Sequence, residues 1–422
     1  MPADAAPPSP APLHEEDNAP VNAFAYRDFR LLWTGLLISN TGSWMQYLAQ
    51  GWLVVDIAET ASRGVLYLGF VGLVRATPAL LLSGIAGTLA DRMDRRRILV
   101  VAQIVMGGSA LVLGLLAATH AVTIWEVMTL AAVSSAGQAF DAPTRQSLVP
   151  HIVGRRALMN AIGLNSAAFN GPAIIGPALA GLLVAGVGIV PCFYLNAASY
   201  VAVLVAVWMM SPKPPMARDR RSGFRADLLA GFKYVHGRAS VLALLVLSMI
   251  FAVVGRPFIQ LLPAFAKGVL HAGPAALGVL GSSAGAGALC GSITTAFMGL
   301  KHRRGPLLLA CGAVAGAALF AFSLARALPW AGAALVFVGV AINLFMGMAN
   351  TLLQSHTDLE MRGRVMSLFT MTFLGLMPLG TWLLGTVASI VTLPVTLAAA
   401  GAIIVVACVA FSFGGAGIRS LE

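Results

Sequence analysis

Two arginines fall near the middle of apolar segments that are long enough to cross a bilayer. Arg75 lies in the segment 65–90, and Arg256 lies in the segment 241–266. A guanidinium keeps its charge and is costly to place in hydrocarbon, so each arginine is a candidate for binding an anionic or carbonyl-rich group. The alternative is that each arginine bonds to helix-end carbonyls or extends to the membrane surface. The sequence leaves both interpretations open.

Asp141 and Arg145 follow the apolar segment 124–140 and are spaced four residues apart. This spacing places both side chains on one face of a helix. One interpretation is a salt bridge near a membrane surface that strengthens a closed conformation. The other is a titrating carboxylate that couples protons to movement.

Polar side chains recur at helical spacing within three of the apolar segments. A single polar residue in a membrane helix usually bonds to a neighbouring helix, but a continuous polar face favours a water-filled cavity. We interpret these faces as cavity lining, together with Arg75 and Arg256. The polar residues are Asn40, Ser43, Tyr47 and Gln50 in the first segment, Gln138 and Asp141 in the fourth, and Asn343, Asn350 and Gln354 in the tenth.

The elements that position these residues are apolar helices. Of the 422 residues, 58% are apolar and 10% are charged, whereas a soluble domain has about 25% charged residues. A helix needs about 20 apolar residues to cross a bilayer, and twelve segments qualify. We number them as spans one to twelve. They are residues 31–55, 65–90, 98–118, 124–140, 158–184, 189–210, 241–266, 275–300, 306–324, 331–354, 365–390 and 394–413.

The basic residues predict the orientation of the chain. The formal net charge is +11, and 21 of the 27 lysines and arginines lie on the side of the two termini. The segments on the other side contain only Arg63, Lys267 and Arg326. Basic loops stay in the cytoplasm, so both termini are predicted to be cytoplasmic. Because these charges occupy short loops between spans, nucleic acid is not an expected partner.

The longest connection divides the chain into halves. We expect a disordered cytoplasmic tail at 1–25, six-helix bundles at 26–210 and 241–422, and a linker at 211–240 with an amphipathic helix on the membrane surface. The linker could also serve only to space the halves. A faint internal repeat supports the division, because Gly176 and Gly181 in the first half correspond to Gly380 and Gly385 in the second.

Signatures of enzymes and cofactors are missing from the sequence. The four cysteines are isolated within apolar segments, so neither a metal site nor a disulfide framework is indicated. There is no phosphate-binding loop and no H-E-x-x-H motif. We therefore predict a protein that is not an enzyme and has no cofactor.

The loop between spans two and three carries the most specific motif. Its order of Gly87, Asp91, Arg92, Arg95 and Arg96 resembles the loop signature of the major facilitator superfamily. In that family the glycine lets two helices approach, and the charges form a cytoplasmic gate. Asp94 stands where the family usually has a second glycine. An ordinary basic loop would explain the arginines but not the order of the motif.

Span five resembles the same superfamily in a second place. Gly163, Gly176, Pro177 and Gly181 fit the spacing of its antiporter motif, in which small residues pack helices closely and proline bends the span. Generic packing of a glycine-rich span is the alternative.

Further segments are similar to one bacterial exporter branch, called the transmembrane secretion effector family. They are Phe29-Arg-Leu-Leu-Trp33, Gln138-Ala-Phe-Asp-Ala-Pro-Thr-Arg-Gln146 and Asn350-Thr-Leu-Leu-Gln354. The resemblance implies an all-α major facilitator fold of twelve transmembrane helices in the inner membrane. It also implies proton antiport that exports small amphipathic molecules, such as a siderophore, an antibiotic or a drug-like compound. Solute uptake and a non-transporting membrane scaffold are the alternatives.

Overall fold

The computed structural model describes residues 20–92, 94–210, 224–297, 304–413, 417, 418 and 421. Every regular element in these ranges is helical, and the helices fall into twelve spans. Spans one to six are Arg27–Asp56, Ala61–Arg92, Arg95–Ala118, Ile124–Ile152, Leu158–Gly186 and Val190–Met209. Spans seven to twelve are Ala239–Gly268, Pro274–Phe297, Arg304–Leu324, Leu328–Ser355, residues 359–390 and Leu393–Phe413.

The predicted spans agree with these helices except at two polar ends. Span four continues to Ile152 instead of ending at residue 140, and span eleven begins at Leu359 instead of residue 365. In both places the helix continues through charged residues, whereas our prediction followed the apolar run alone. Nine of the described helices are long and apolar enough to cross a membrane. Spans one, four and eleven are not among them, and the first two carry polar faces predicted from the sequence.

The two halves repeat one packing pattern. Span two packs against span four as span eight packs against span ten, and span three packs against span six as span nine packs against span twelve. The halves meet where the second part of span five, Pro172–Gly186, contacts span eight, and where span eleven contacts span two. This correspondence agrees with the internal repeat found in the sequence.

The outer surface of the helices carries large apolar side chains. Leu81, Phe297 and Ile390 are strongly exposed, as lipid-facing residues of a membrane protein would be. Trp125, Trp208 and Trp330 are also exposed and lie near the ends of spans four, six and ten. Tryptophan prefers the boundary between lipid and water, so these three residues are placed to anchor the spans.

The linker contains the helix Phe224–His236, which packs against the first helix of span eleven, Leu359–Met371. Arg238 Nη2 lies 2.6 Å from Asp358 Oδ2, and the Asp358 amide donates a hydrogen bond to the Tyr234 hydroxyl at 3.0 Å. The guanidinium of Arg238 also lies over the Tyr234 ring. The linker helix is thus attached to the second half of the protein.

Candidate substrate cavity and gates

A break in span seven positions Arg256. Residues Phe251–Gly255 form a π-helix, and the Arg256 amide donates to the Phe251 carbonyl at 3.0 Å. Pro257 follows and has no amide hydrogen to continue the helical pattern. A π-helical turn inserts an extra residue and changes the direction of the side chains after it, which is why such turns are frequent at functional sites.

Arg256 lines a cavity of about 380 Å³ in the second half of the protein. The cavity is bounded by spans seven, eight, ten and eleven. Arg256, Asn343 and Asn350, all predicted cavity residues, are thus brought together in one place. The remaining lining residues, which the sequence prediction missed, are Ser292, Thr295, Met346, Gly347 and Phe369.

Arg75 and Tyr47 line a second, narrower space. This cleft of about 20 Å³ lies between the halves, and Gln50 also faces it. The Arg75 guanidinium lies 5.1 Å from the centre of the Tyr47 ring, a cation–π contact. A Cβ atom at Gly72 of span two would lie 2.6 Å from Gln260 Oε1 of span seven, so the helices that carry Arg75 and Arg256 meet at this cleft. Span seven closes the cleft with Ile259, Gln260 and Pro263.

The other predicted cavity residues have different surroundings. Asn40 donates to the Ala168 carbonyl in span five at 3.0 Å, which is a helix-to-helix bond. Gln354 donates to the Asn350 side-chain oxygen at 2.5 Å. Gln138 is exposed, and neither the cavity nor the cleft includes it among the described lining residues.

The predicted pair Asp141 and Arg145 is buried within the first half. Arg145 Nη1 lies 3.7 Å from Asp141 Oδ2, and Gln103 in span three donates to Asp141 Oδ1 at 2.7 Å. Because the hydrogen bond is shorter than the charge contact, Gln103 fixes the carboxylate most firmly. The carboxylate therefore links spans three and four.

The predicted gate lies partly outside the described residues. The side chains of Gly87, Asp91 and Arg92 are not described, and Arg95 and Arg96 begin span three. Asp94, which replaces a glycine of the family motif, accepts a hydrogen bond from the Arg96 amide at 2.9 Å. It caps span three, and this role explains an acidic residue at that position.

On the side of the membrane away from the termini, which we call the opposite side, the halves touch through glycine pairs. A Cβ atom at Gly181 would lie 2.7 Å from the Gly278 Cα, and one at Gly385 would lie 3.0 Å from the Gly69 Cα. Pro177 packs against Gly281 beside the first pair. Gly181 and Gly385 are the positions related by the internal repeat, so two equivalent contacts close this side.

The other two glycines of the span-five motif differ from each other. A Cβ atom at Gly176 would lie 2.5 Å from the Trp44 Cβ, so this glycine packs span five closely against span one. Gly163 is exposed and has nothing within 4 Å of its Cβ position. The prediction of helix packing at Gly163 is therefore wrong for this conformation, because the motif spacing does not show which helix face meets a neighbour.

An ion pair also joins the halves on the opposite side. Lys267 Nζ lies 2.7 Å from Asp56 Oδ1, connecting the end of span seven to the end of span one. The charge distribution predicted Lys267 on this side but not its pairing with Asp56. Pairing depends on how the halves meet, which hydropathy does not report.

Comparisons with known proteins agree with this architecture. The sequence matches the transmembrane secretion effector family over residues 18–414. It is 22% identical over 365 residues to macrolide efflux protein A of Streptococcus pyogenes, covering 83% of this chain and 87% of that protein. It is 29% identical over 129 residues to the staphyloferrin A transporter of Staphylococcus aureus, covering 30% of this chain and 31% of that protein.

Solved structures share the fold. A bacterial homologue of the lysosomal transporter Spinster, in an inward-facing and occupied conformation, aligns with a TM-score of 0.73 and 15% identity, covering 93% of this chain and 97% of that one. The inward-open xylose transporter XylE of E. coli aligns with a TM-score of 0.68 and 13% identity, covering 93% and 96%.

The fold and the family match together define a multi-pass membrane transporter of the major facilitator type, not an enzyme. Its substrates are small molecules. Because the family match spans nearly the whole chain, the protein belongs to the transmembrane secretion effector family. The predicted fold class and family are confirmed.

Proposed function

We propose that this protein exports small amphipathic molecules from the cytoplasm by alternating access and is driven by proton antiport. The observation that carries the proposal is the pair of equivalent contacts, Gly181 with Gly278 and Gly385 with Gly69. They close the opposite side at positions related by the internal repeat. A transporter with repeated halves exposes its central site to one side at a time by moving one half against the other.

Orientation and relatives support the export direction. The basic loops favour cytoplasmic termini, and with that orientation the side closed by the glycine pairs faces outward. Two relatives are named as a macrolide efflux protein and a staphyloferrin transporter. A cavity that combines Asn343 and Asn350 with Met346 and Phe369 suits molecules with polar and apolar parts.

Proton coupling is assigned to the buried carboxylate in span four. Asp141 is the acidic residue placed deepest in a span of the first half, and its carboxylate contacts Gln103 and Arg145. Protonation would weaken the contact to Arg145 and loosen the end of span four. This change would link proton uptake to movement of the helix.

The proposal is tested by efflux from cells that express the protein. Cells are loaded with macrolides, siderophores or fluorescent dyes, and efflux is followed with and without a protonophore. Gly181→Trp is the inactive control, because a bulky side chain cannot fit against Gly278. Gly108→Trp is the matched control, since nothing lies within 4 Å of its Cβ position.

Each outcome is informative. Protonophore-sensitive efflux that Gly181→Trp removes and Gly108→Trp retains supports proton-driven export. Efflux that persists without a proton gradient contradicts antiport. Accumulation in place of loss indicates uptake. If folded protein in the membrane moves no compound of the panel, export is contradicted and the scaffold alternative gains support.

A further inference from the structure

The described side chains that line the cavity and the cleft present more hydrogen-bond donors and positive charge than they present acceptors and negative charge. The guanidinium groups of Arg75 and Arg256 make no hydrogen bond or ion pair with any described residue, apart from the Arg75 contact with the Tyr47 ring. None of the described residues that line the cavity or the cleft carries a carboxylate. Both arginines are half-buried and line these spaces, so a ligand that enters can reach their positive charge directly.

Two side chains add donors to this surplus. The Asn350 side-chain oxygen is already occupied by Gln354, so its amide hydrogens remain available to the cavity. The Gln50 amide nitrogen is buried and has no hydrogen-bond partner among the described residues. An unsatisfied buried donor is costly, so an acceptor that reaches it would bind favourably.

The hydroxyl groups in the cavity do not offset the surplus. Ser292 donates to the Ala288 carbonyl at 2.9 Å, and Thr295 donates to the Gly291 carbonyl at 2.9 Å. Both bonds lie within span eight, and they orient the hydroxyls along their own helix. Recognition of a charged group therefore depends on Arg256 and Asn350.

Geometry connects the two spaces into one site. Ile259 and Gln260, which line the cleft, follow Arg256, which lines the cavity, within about one turn of span seven. Gln260 lies against Gly72, three residues before Arg75 in span two, so the helices that carry the two arginines meet at the cleft. A single ligand can therefore approach one arginine from each half.

We propose that this site binds an amphipathic anion, with a carboxylate held by Arg256 and Arg75 and an apolar body against Met346 and Phe369. This assignment rests on the proposed transport function and names the charge class of its substrate. Arginine suits the role because its planar fork of donors matches a carboxylate. A cationic substrate would meet two positive charges and no acidic residue of the described lining.

The test compares phenylbutyrate with its neutral isostere phenylbutyramide. Their binding to the purified protein in lipid nanodiscs is measured by calorimetry, with empty nanodiscs as the background. We expect the wild-type protein to bind the carboxylate at least about tenfold more tightly, because a hydrogen bond to a charged group is worth more than one tenfold step in affinity.

Three variants define the role of the arginines. Arg256→Gln should remove most of the preference for the carboxylate without weakening amide binding, and Arg256→Lys should retain part of it. Arg63→Gln is the matched control, because it removes one positive charge at an exposed pair with Glu59. Thermal unfolding confirms that each variant is folded.

Equal binding of the two compounds by the wild-type protein would overturn the proposal, as would absence of phenylbutyrate binding. A preference that Arg256→Gln leaves unchanged would overturn it too. Failure of the proposed function looks different. A protein that prefers the carboxylate in nanodiscs but exports nothing from cells contradicts export and leaves the anion site intact.

Discussion

Gly181→Ala should shift the protein away from the conformation that is closed on the opposite side. The added methyl group would lie 2.7 Å from the Gly278 Cα and 3.1 Å from its nitrogen. Carbon atoms prefer a separation of about 3.5–4.0 Å, so spans five and eight must move apart by about 1 Å. Overpacking of this kind costs about 1–3 kcal/mol.

The cost applies to one conformation only. When the halves separate on the opposite side, the contact between Gly181 and Gly278 is absent and the methyl group fits without strain. A differential energy of about 1–3 kcal/mol changes the ratio of the two conformations by roughly fivefold to more than a hundredfold. Only the difference in cost between the two conformations sets the change in their population ratio, and the absolute stability of the protein does not enter.

The assay is access to the cavity from the opposite side. Asn343→Cys provides a label in a background whose four cysteines are replaced by alanine. A membrane-impermeant maleimide is applied to intact cells, and the labelling rate is measured. Gly181→Ala should raise this rate about fivefold or more. Gly108→Ala, in an exposed position of span three, should leave it unchanged.

The reasoning fails if Gly181→Ala and the Gly108→Ala control label at the same rate in folded protein. It also fails if Gly181→Ala labels more slowly than the control. Gly385→Ala provides an independent check, since it disturbs the equivalent contact with Gly69.

Three further predictions concern charges. Asp141→Asn keeps the hydrogen-bond acceptor for Gln103 but removes the charged partner of Arg145. Thermal stability should therefore fall, and efflux should lose its dependence on the proton gradient. Efflux that stays coupled to the proton gradient would contradict the assignment of proton coupling to Asp141. Asp56→Asn removes an exposed ion pair with Lys267 that is worth at most about 1 kcal/mol, so labelling from the opposite side should rise less than fivefold. A larger rise would show that this ion pair contributes most of the energy that keeps the opposite side closed. Asp91→Asn should slow efflux and increase labelling of thiols from the cytoplasm; if neither changes, the predicted gate is wrong.

The sequence predicted the number and order of the spans because bilayer thickness sets the length of an apolar run. The division between spans eleven and twelve also agrees with the structure, since span eleven ends at Ile390 and span twelve begins at Leu393. The glycines of span five predicted close helix packing, because a helix backbone can approach another closely only where side chains are small, but not that Gly181 packs against the other half.

Other features depend on information that composition does not contain. The π-helix at Phe251–Gly255 adds one residue to a turn without changing the apolar character of span seven, so its effect on Arg256 was not predictable. The polar face of span one was correct in spacing, yet Asn40 bonds to span five while Tyr47 faces the cleft. Helical spacing gives the face of a residue but not the neighbour that covers it.

The glycine contacts also affect the balance between stability and turnover. Glycine has no side chain, so separating Gly181 from Gly278 exposes little apolar surface and breaks contacts worth only about 0.1–0.2 kcal/mol per atom pair. Two conformations of similar free energy are therefore accessible, as a cycling protein requires. A substitution that strengthened this contact would raise the melting temperature and slow the transport cycle. At the glycine contacts between the halves, thermostability and activity therefore oppose each other most directly.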